Sequence, residues 1–219
     1  EKIASFCFDI IDNDYMLTTL NGAWAKERQI NTSPLAVGIT KVSSNYGFSS
    51  AQTNPFTMLQ SKDVTYTKGN VYGFNLIYSG NHMTTFERTM YHKIRIMCGI
   101  NDYSFSWTLN KGESFESPEA TLCFSSNGIN TLSHEYHIFV KNHILRGEYK
   151  DKEKPILINN WEGTYFDFNE EKLLKLAKKA KDVGVEMFVL DDGWFGKRNS
   201  DNCSLGDWVV NEEKINGGL

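Results

Sequence analysis

The residues of this chain best suited to chemistry lie together in Phe188-Val-Leu-Asp-Asp-Gly-Trp-Phe-Gly196, where an apolar run stops at two carboxylates, a glycine and two aromatics. Ionised carboxylates accept hydrogen bonds from hydroxyls, and an indole face covers the apolar C–H side of a pyranose. Asp191, Asp192 and Trp194 are therefore candidates for binding a sugar. The alternative is local: Asp191 or Asp192 caps the turn that follows, and Trp194 belongs to a core. Successive strand residues point to opposite faces unless the strand is already turning, as Gly193 would allow. Double displacement at a glycoside needs two carboxyls about 5–5.5 Å apart across the scissile bond, which sequence neighbours seldom achieve. Asp191 and Asp192 are thus read as substrate binders and not as a catalytic dyad.

Two further groups accompany them. Asn159-Asn160-Trp161-Glu162 follows the apolar stretch Ile156-Leu-Ile158, and Trp161 could line the same pocket as Asp191 if both strands end on one rim. Trp161 as a core residue is the competing reading. Ser204-Leu-Gly-Asp-Trp208 lies in the loop after the second strand, where Asp207 and Trp208 could be lid or site residues. His134-Glu-Tyr-His137 lacks the H-E-x-x-H spacing of a zinc helix. It is expected to hold structural histidines after a turn in a sheet. No metal site and no cofactor is expected, and neither Gly-x-Ser-x-Gly nor a phosphate-cradling glycine loop occurs.

The elements that must position these residues follow from hydrophobic period. Up to about residue 145 the pattern is short strands. Ile94, Ile96, Cys98 and Ile100 alternate with Lys93, Arg95 and Met97, and Tyr103, Phe105, Trp107 and Leu109 alternate with Ser104, Ser106 and Thr108. Both have the period of two of half-buried antiparallel strands, with Asn101-Asp102 as the turn between them. Val64–Thr67 and Val71–Tyr78, flanking Lys68-Gly69-Asn70, predict another hairpin. After Pro155 the pattern becomes strand, helix, strand. The helix is predicted from about Glu170 to Val183, with Leu173, Leu176 or Ala177, Ala180 and Val183 inward. Asp167 with Glu170, or Asn169 alone, would cap it, and Gly184 would end it. Val185–Leu190, apolar except for Glu186, predicts a strand buried on both faces, as in parallel sheets. The expected fold class is a β-sandwich over residues 1–150, then over residues 155–219 the opening β-α-β unit of an α/β domain.

Composition sets limits on function. The 219 residues are 40% hydrophobic and 23% charged, ordinary for a globular protein that can bury a substantial core. A net charge of −4 and a pI near 5.8 provide no basic patch for phosphates, which argues against nucleic acid as partner. The cluster from Lys172 to Lys181 reads as a solvated helix face. No apolar run reaches the roughly 18–20 residues of a membrane span. The four cysteines form no C-x-x-C and suggest free thiols in a reducing compartment, hence a cytoplasmic location.

The chain resembles the microbial α-galactosidases of glycoside hydrolase family 36. The matching blocks are Gly22-Ala-Trp-Ala-Lys-Glu-Arg28, Tyr78-Ser-Gly-Asn81, Gly112-Glu-Ser-Phe115 with Pro118-Glu119, Asn159-Asn-Trp-Glu-Gly-Thr-Tyr-Phe-Asp-Phe168, Phe188 to Gly196, and Ser204 to Trp208. The resemblance implies an N-terminal β-sandwich, a (β/α)8 barrel, and release of terminal α-galactose from melibiose or raffinose-type oligosaccharides with retention. It implies that Asp191 and Asp192 bind galactose hydroxyls and that Trp161 lines the same pocket. The nucleophile and acid/base aspartates would lie beyond Leu219. A homo-oligomer, such as a tetramer packed through the sandwich, is also implied. Lys26, Gln29 and Asn45-Tyr-Gly-Phe-Ser-Ser-Ala51 depart from the family pattern in that region. An α-N-acetylgalactosaminidase, a galactosyl-transferring relative and a non-catalytic carbohydrate-binding module are the other readings. A complete barrel takes about 250 residues, of which only the segment after Pro155 would be present here, so the polypeptide alone is expected not to hydrolyse glycosides. Turnover of a chromogenic α-galactoside by the purified chain would overturn that expectation.

Overall fold

Alternating apolar residues build the first part of the chain into antiparallel strands, as residues 4–219 of a computed structural model show. In chain order these are β1 (Ala4–Ile11), β2 (Met16–Asn21), β3 (Gln29–Pro34), β4 (Gly38–Ser43), β5 (Thr53–Gln60), β6 (Val71–Leu76), β7 (His82–Arg88), β8 (Lys93–Ile100) and β9 (Ala120–Ser125). They form two sheets, with strand orders β1-β8-β7-β4 and β3-β2-β5-β6-β9. The inward residues of both sheets share one core. Leu17, Leu59 and Phe74 of the second sheet meet Val42, Phe86, Ile94 and Ile96 of the first. Each such fully buried side chain stabilises the fold by about 1.5–3 kcal/mol. The Phe74 and Phe86 rings, 5.8 Å apart and edge to face, join the sheets. So does His82 on β7, whose Nε2 lies 2.9 Å from the Thr53 carbonyl oxygen on β5. Burial pulls the His82 pKa below the ordinary histidine range, which favours the neutral ring.

Two strand expectations are corrected. Residues 103–109 are not a strand. Both edges of β8 are already paired, with β1 and β7. The buried Asn101 then pins the chain where the hairpin would turn, donating from Nδ2 to the Ser44 carbonyl at 2.9 Å and accepting from the Tyr103 amide at 3.1 Å. The exposed Trp107 packs at a tilt against Phe115, ring centroids 5.0 Å apart, in place of a strand partner. Nor does 64–67 pair with β6. Strand β6 pairs with β5, and Ser61 N to Asn70 O closes the loop between them at 2.9 Å.

That loop has another task. Helix α1 (Gly128–Phe139), unforeseen in a region read as strands, begins on it. Loop carbonyls accept the first helical amides: Gly69 O from Gly128 N at 3.0 Å, Thr65 O from Ile129 N at 3.2 Å, and Tyr66 O from Asn130 N at 2.9 Å. These groups would otherwise lack partners, since Asn127 makes no side-chain cap. Ile129, Leu132 and Tyr136, at helical spacing, pack onto Met58 and Val71. His134 and His137 point to solvent on this helix and are not the structural histidines expected of a sheet turn. Among the described residues no His, Cys, Asp and Glu group is arranged to hold a metal ion.

The chain divides into compact units of residues 1–145 and 146–219. The second is a β-α-β unit: β10 (Leu157–Asn159), the single turn α2 (Trp161–Thr164), α3 (Glu170–Asp182) and β11 (Met187–Val189). Asn169 is the cap of α3, accepting from Lys172 N at 3.0 Å, while Asp167 instead takes the Lys172 ammonium at 2.7 Å. Leu173 and Ala180 face inward, but Val183 falls past the last turn and is exposed. β10 and β11 are parallel, pairing Leu157 with Met187, Ile158 with Phe188 and Asn159 with Val189. β11 is shorter than expected and only half-buried. Among the described residues its sole strand partner is β10, so its far edge stays open.

Gly128 carries the start of α1. It sits at φ +79°, and a Cβ there would lie 2.5 Å from the Lys68 amide nitrogen. Gly128→Ala is expected to destabilise the protein by about 3 kcal/mol, read as a lowered urea midpoint. An unchanged midpoint would show that the loop does not set the helix start.

Candidate sugar-binding site

The site is built where the parallel strands β10 and β11 end together. Past the last paired residues the ladder is continued by side chains. Asn160 N still donates to Val189 O at 3.2 Å, but the Asp191 amide donates to the Asn160 side-chain Oδ1, at 2.8 Å. Asn160 is fully buried, and its Nδ2 donates to Thr164 Oγ1 at 2.9 Å. One amide side chain thereby fixes the turn into α2 and the exit of β11. Asn159 bridges the same gap at the surface. Its Nδ2 donates to Asp191 Oδ2, and its Oδ1 accepts from Trp161 N at 2.7 Å.

The two aspartates are treated differently by their surroundings. Asp191 Oδ1 accepts the Asp192 amide at 2.6 Å, and its carboxylate stays at the half-exposed rim. Asp192 is gripped by Arg198: Nε lies 2.9 Å from Oδ1 and Nη2 lies 2.8 Å from Oδ2. The guanidinium holds the Asp192 carboxyl below the usual carboxylate range. Gly193, at φ +91°, makes the turn that separates the two side chains, and its amide donates to Asp192 Oδ1 at 2.7 Å.

The structure brings four of the expected residues to one concavity of about 500 Å³: Asp191, Asp192, Trp194 and Trp208, with Phe195 and Leu205. Trp208 is exposed and lies against Phe195, ring centroids 4.6 Å apart. Trp161 is not in its lining. It stands one residue removed, tied through Asn159, and is seated edge-on against Tyr165 and Phe166 at 5.3 and 4.8 Å. Asp207 is exposed and outside the lining. A smaller hollow of about 290 Å³ between α3 and β11 is walled mostly by apolar residues such as Leu173, Ala177, Phe188 and Ile215, with Glu170 and Asn216 also in its lining.

Arg198 and Lys214 escaped the sequence reading. Lys214 donates from Nζ to the carbonyls of Phe166 at 3.0 Å and Gly193 at 3.1 Å, latching the two strand-end loops together. Burial pulls its ammonium below the usual lysine range, against the attraction of Asp167 and Asp192. Arg198 follows Asp192 by six positions, but nothing in a loop of Asn, Ser and Asp marks it as buried. All four cysteines are free thiols, as expected.

A parallel strand pair ending in hydrogen-bonded carboxylates beside indole faces is an arrangement suited to carbohydrate. The chain belongs to glycoside hydrolase family 36. Residues 1–110 match the glycosyl hydrolase family 36 N-terminal domain, and residues 114–219 match the melibiase family. It is 48% identical to α-galactosidase Mel36A of Lactobacillus acidophilus over all 219 residues, which span 30% of that relative. The crystal structure of α-galactosidase AgaA from Geobacillus stearothermophilus superposes with a TM-score of 0.96 at 45% identity, again covering all of this chain and 30% of the other. A variant of AgaA in complex with raffinose matches equally well in shape, with a TM-score of 0.96 at 44% identity, 100% of this chain and 30% of that one. The chain thus spans about a third of the length of the relatives it matches.

The buried Asn160 amide is the brace of this site. Asn160→Ala would leave the Asp191 amide without its acceptor and is expected to cost about 2 kcal/mol, measured by thermal unfolding. Wild-type stability in that variant would mean that another group takes over the bond.

Proposed function

We propose that the polypeptide carrying this chain is a retaining α-galactosidase that releases terminal α-D-galactosyl groups from raffinose-type oligosaccharides. The observation that carries this reading is the joint end of β10 and β11, where Asn159 and Asp191 are bonded across the strands and Asp192 and Trp194 follow at once. A parallel sheet places ligands beyond its strand ends. Asp191 and Asp192 accept hydrogen bonds from galactose hydroxyls, Trp194 and Trp208 supply apolar faces in the same concavity, and Trp161, outside it but tied to it through Asn159, extends the apolar side. Both aspartates are committed to local hydrogen bonds that fix their direction, which suits binding and orientation. The nucleophile and the acid/base fall to carboxylates elsewhere in the protein.

The reading extends to a complete (β/α)8 barrel begun by β10 and β11, to melibiose and stachyose as further substrates, and to a cytoplasmic homo-oligomer. Free thiols support the location. Trp24, 91% exposed, and β3, exposed along its whole length, support burial of that edge by a second copy.

The test is raffinose hydrolysis by the complete protein. Asp191→Ala is expected to lower kcat/KM about 100-fold or more, and Trp161→Ala to act in the same direction. Wild-type kinetics in both variants would remove this rim from the sugar site.

A further inference from the structure

Asp192 and Trp161 follow the ends of different strands, yet both touch one network centred on Arg198. The guanidinium binds Asp192 through two nitrogens, from Nε to Oδ1 at 2.9 Å and to Oδ2 at 3.1 Å, and from Nη2 to Oδ2 at 2.8 Å. Its third nitrogen, Nη1, donates to the Cys203 carbonyl at 2.9 Å, closing the loop between. Its carbon lies 5.6 Å from the centroid of Phe166, the ring against which Trp161 is seated at 4.8 Å. Exposure separates the two partners of the ion pair. The Asp192 side chain is 23% exposed and lines the concavity, whereas the Arg198 side chain is 6% exposed and does not. A sugar can reach the carboxylate but not the guanidinium.

We propose that Arg198 is a positioning residue for galactose recognition, fixing the Asp192 carboxylate on one side and the Phe166–Trp161 wall on the other. This rests on the α-galactosidase reading and names the group that holds its binding residues in register. A planar, permanently charged fork can both grip a carboxylate through two bonds and lie against a ring; a lysine ammonium offers one point charge and no plane. Arg198 takes a lone pair on each Asp192 oxygen and the Gly193 amide takes the second on Oδ1, so Oδ2 keeps the acceptor capacity left for the sugar.

A pH signature follows. The charged groups near Asp192 are Arg198, Lys214 and the neighbouring Asp191 carboxylate; Asp201 and Cys203 act on Arg198, and Asp167 and Cys203 on Lys214. The two cations depress the Asp192 pKa, so the sugar-accepting carboxylate persists as pH falls and is lost only through that lowered pKa. Removing Arg198 raises the pKa, and the acid loss of affinity moves to higher pH. A purely structural arginine would change stability without moving that limb.

The experiment measures galactose binding by calorimetry across acidic to neutral pH. It uses the complete protein as wild type, Arg198→Gln, Arg198→Lys, Asp192→Asn and the double variant Asp192→Asn/Arg198→Gln. Arg198→Gln is expected to weaken binding about tenfold or more and to shift the acid limb upward. Arg198→Lys, which keeps the charge and guards against loss of folding, should weaken binding less and shift the limb less. The double variant should bind no worse than Asp192→Asn, because the two act through one group. Wild-type affinity and an unmoved acid limb in both single Arg198 variants would overturn the positioning role while leaving the α-galactosidase reading intact. Absence of sugar binding by the wild type would overturn that reading, and the positioning role with it.

Discussion

The second unit depends on an amide buried at the end of a short parallel ladder. Three residue pairs are few for a strand pair, and β10 and β11 would fray where the backbone bonds stop. Asn160 prevents this because its side-chain carbonyl substitutes for the next backbone acceptor, while its amino group holds Thr164. In a dry site such bonds are strong, and an unmet donor there is costly. The position of Asp191 is therefore fixed from below, through its main chain, before any ligand bonds to its carboxylate.

On that base the unit sorts its charges by depth. Asp191 stays at the rim with Asn159, Asp192 is held from behind by Arg198, and Lys214 ties the carbonyls beneath. Adjacent carboxylates repel when both are ionised, and the cations offset that repulsion. The outcome is two neighbouring acceptors with different jobs: one braced by neutral amides, the other by a guanidinium. Preorganisation of this kind would spare a sugar bound as proposed above from reordering these groups.

Much of this was legible in the residues, and the rest fails for identifiable reasons. The alternation from Lys93 to Ile100 read correctly because one face of β8 is packed and the other is wet. The same period over Tyr103–Leu109 misled, since both edges of β8 were already taken and the aromatics found Phe115 instead. Helix α1 was hidden because loop carbonyls, not a side-chain cap, satisfy its first amides. In the site, Asp191, Asp192 and Trp194 stood out because polarity begins abruptly after an apolar strand. Arg198 did not, because its burial is created by Phe166 and Cys203, from segments on either side of it.

The dependence of α1 on a distant loop also affects how the first unit assembles. Most helices can flicker into being from local bonds alone, since each turn needs only its own neighbours. Here the opening turn of α1 needs carbonyls from Thr65 to Gly69, far back in the chain. Its formation therefore carries the closure entropy of the sheet connection that brings those segments together. In energetic terms α1 behaves less like a helix laid on a sandwich than like a tenth strand, a non-local element whose stability rises and falls with the sheet beneath it.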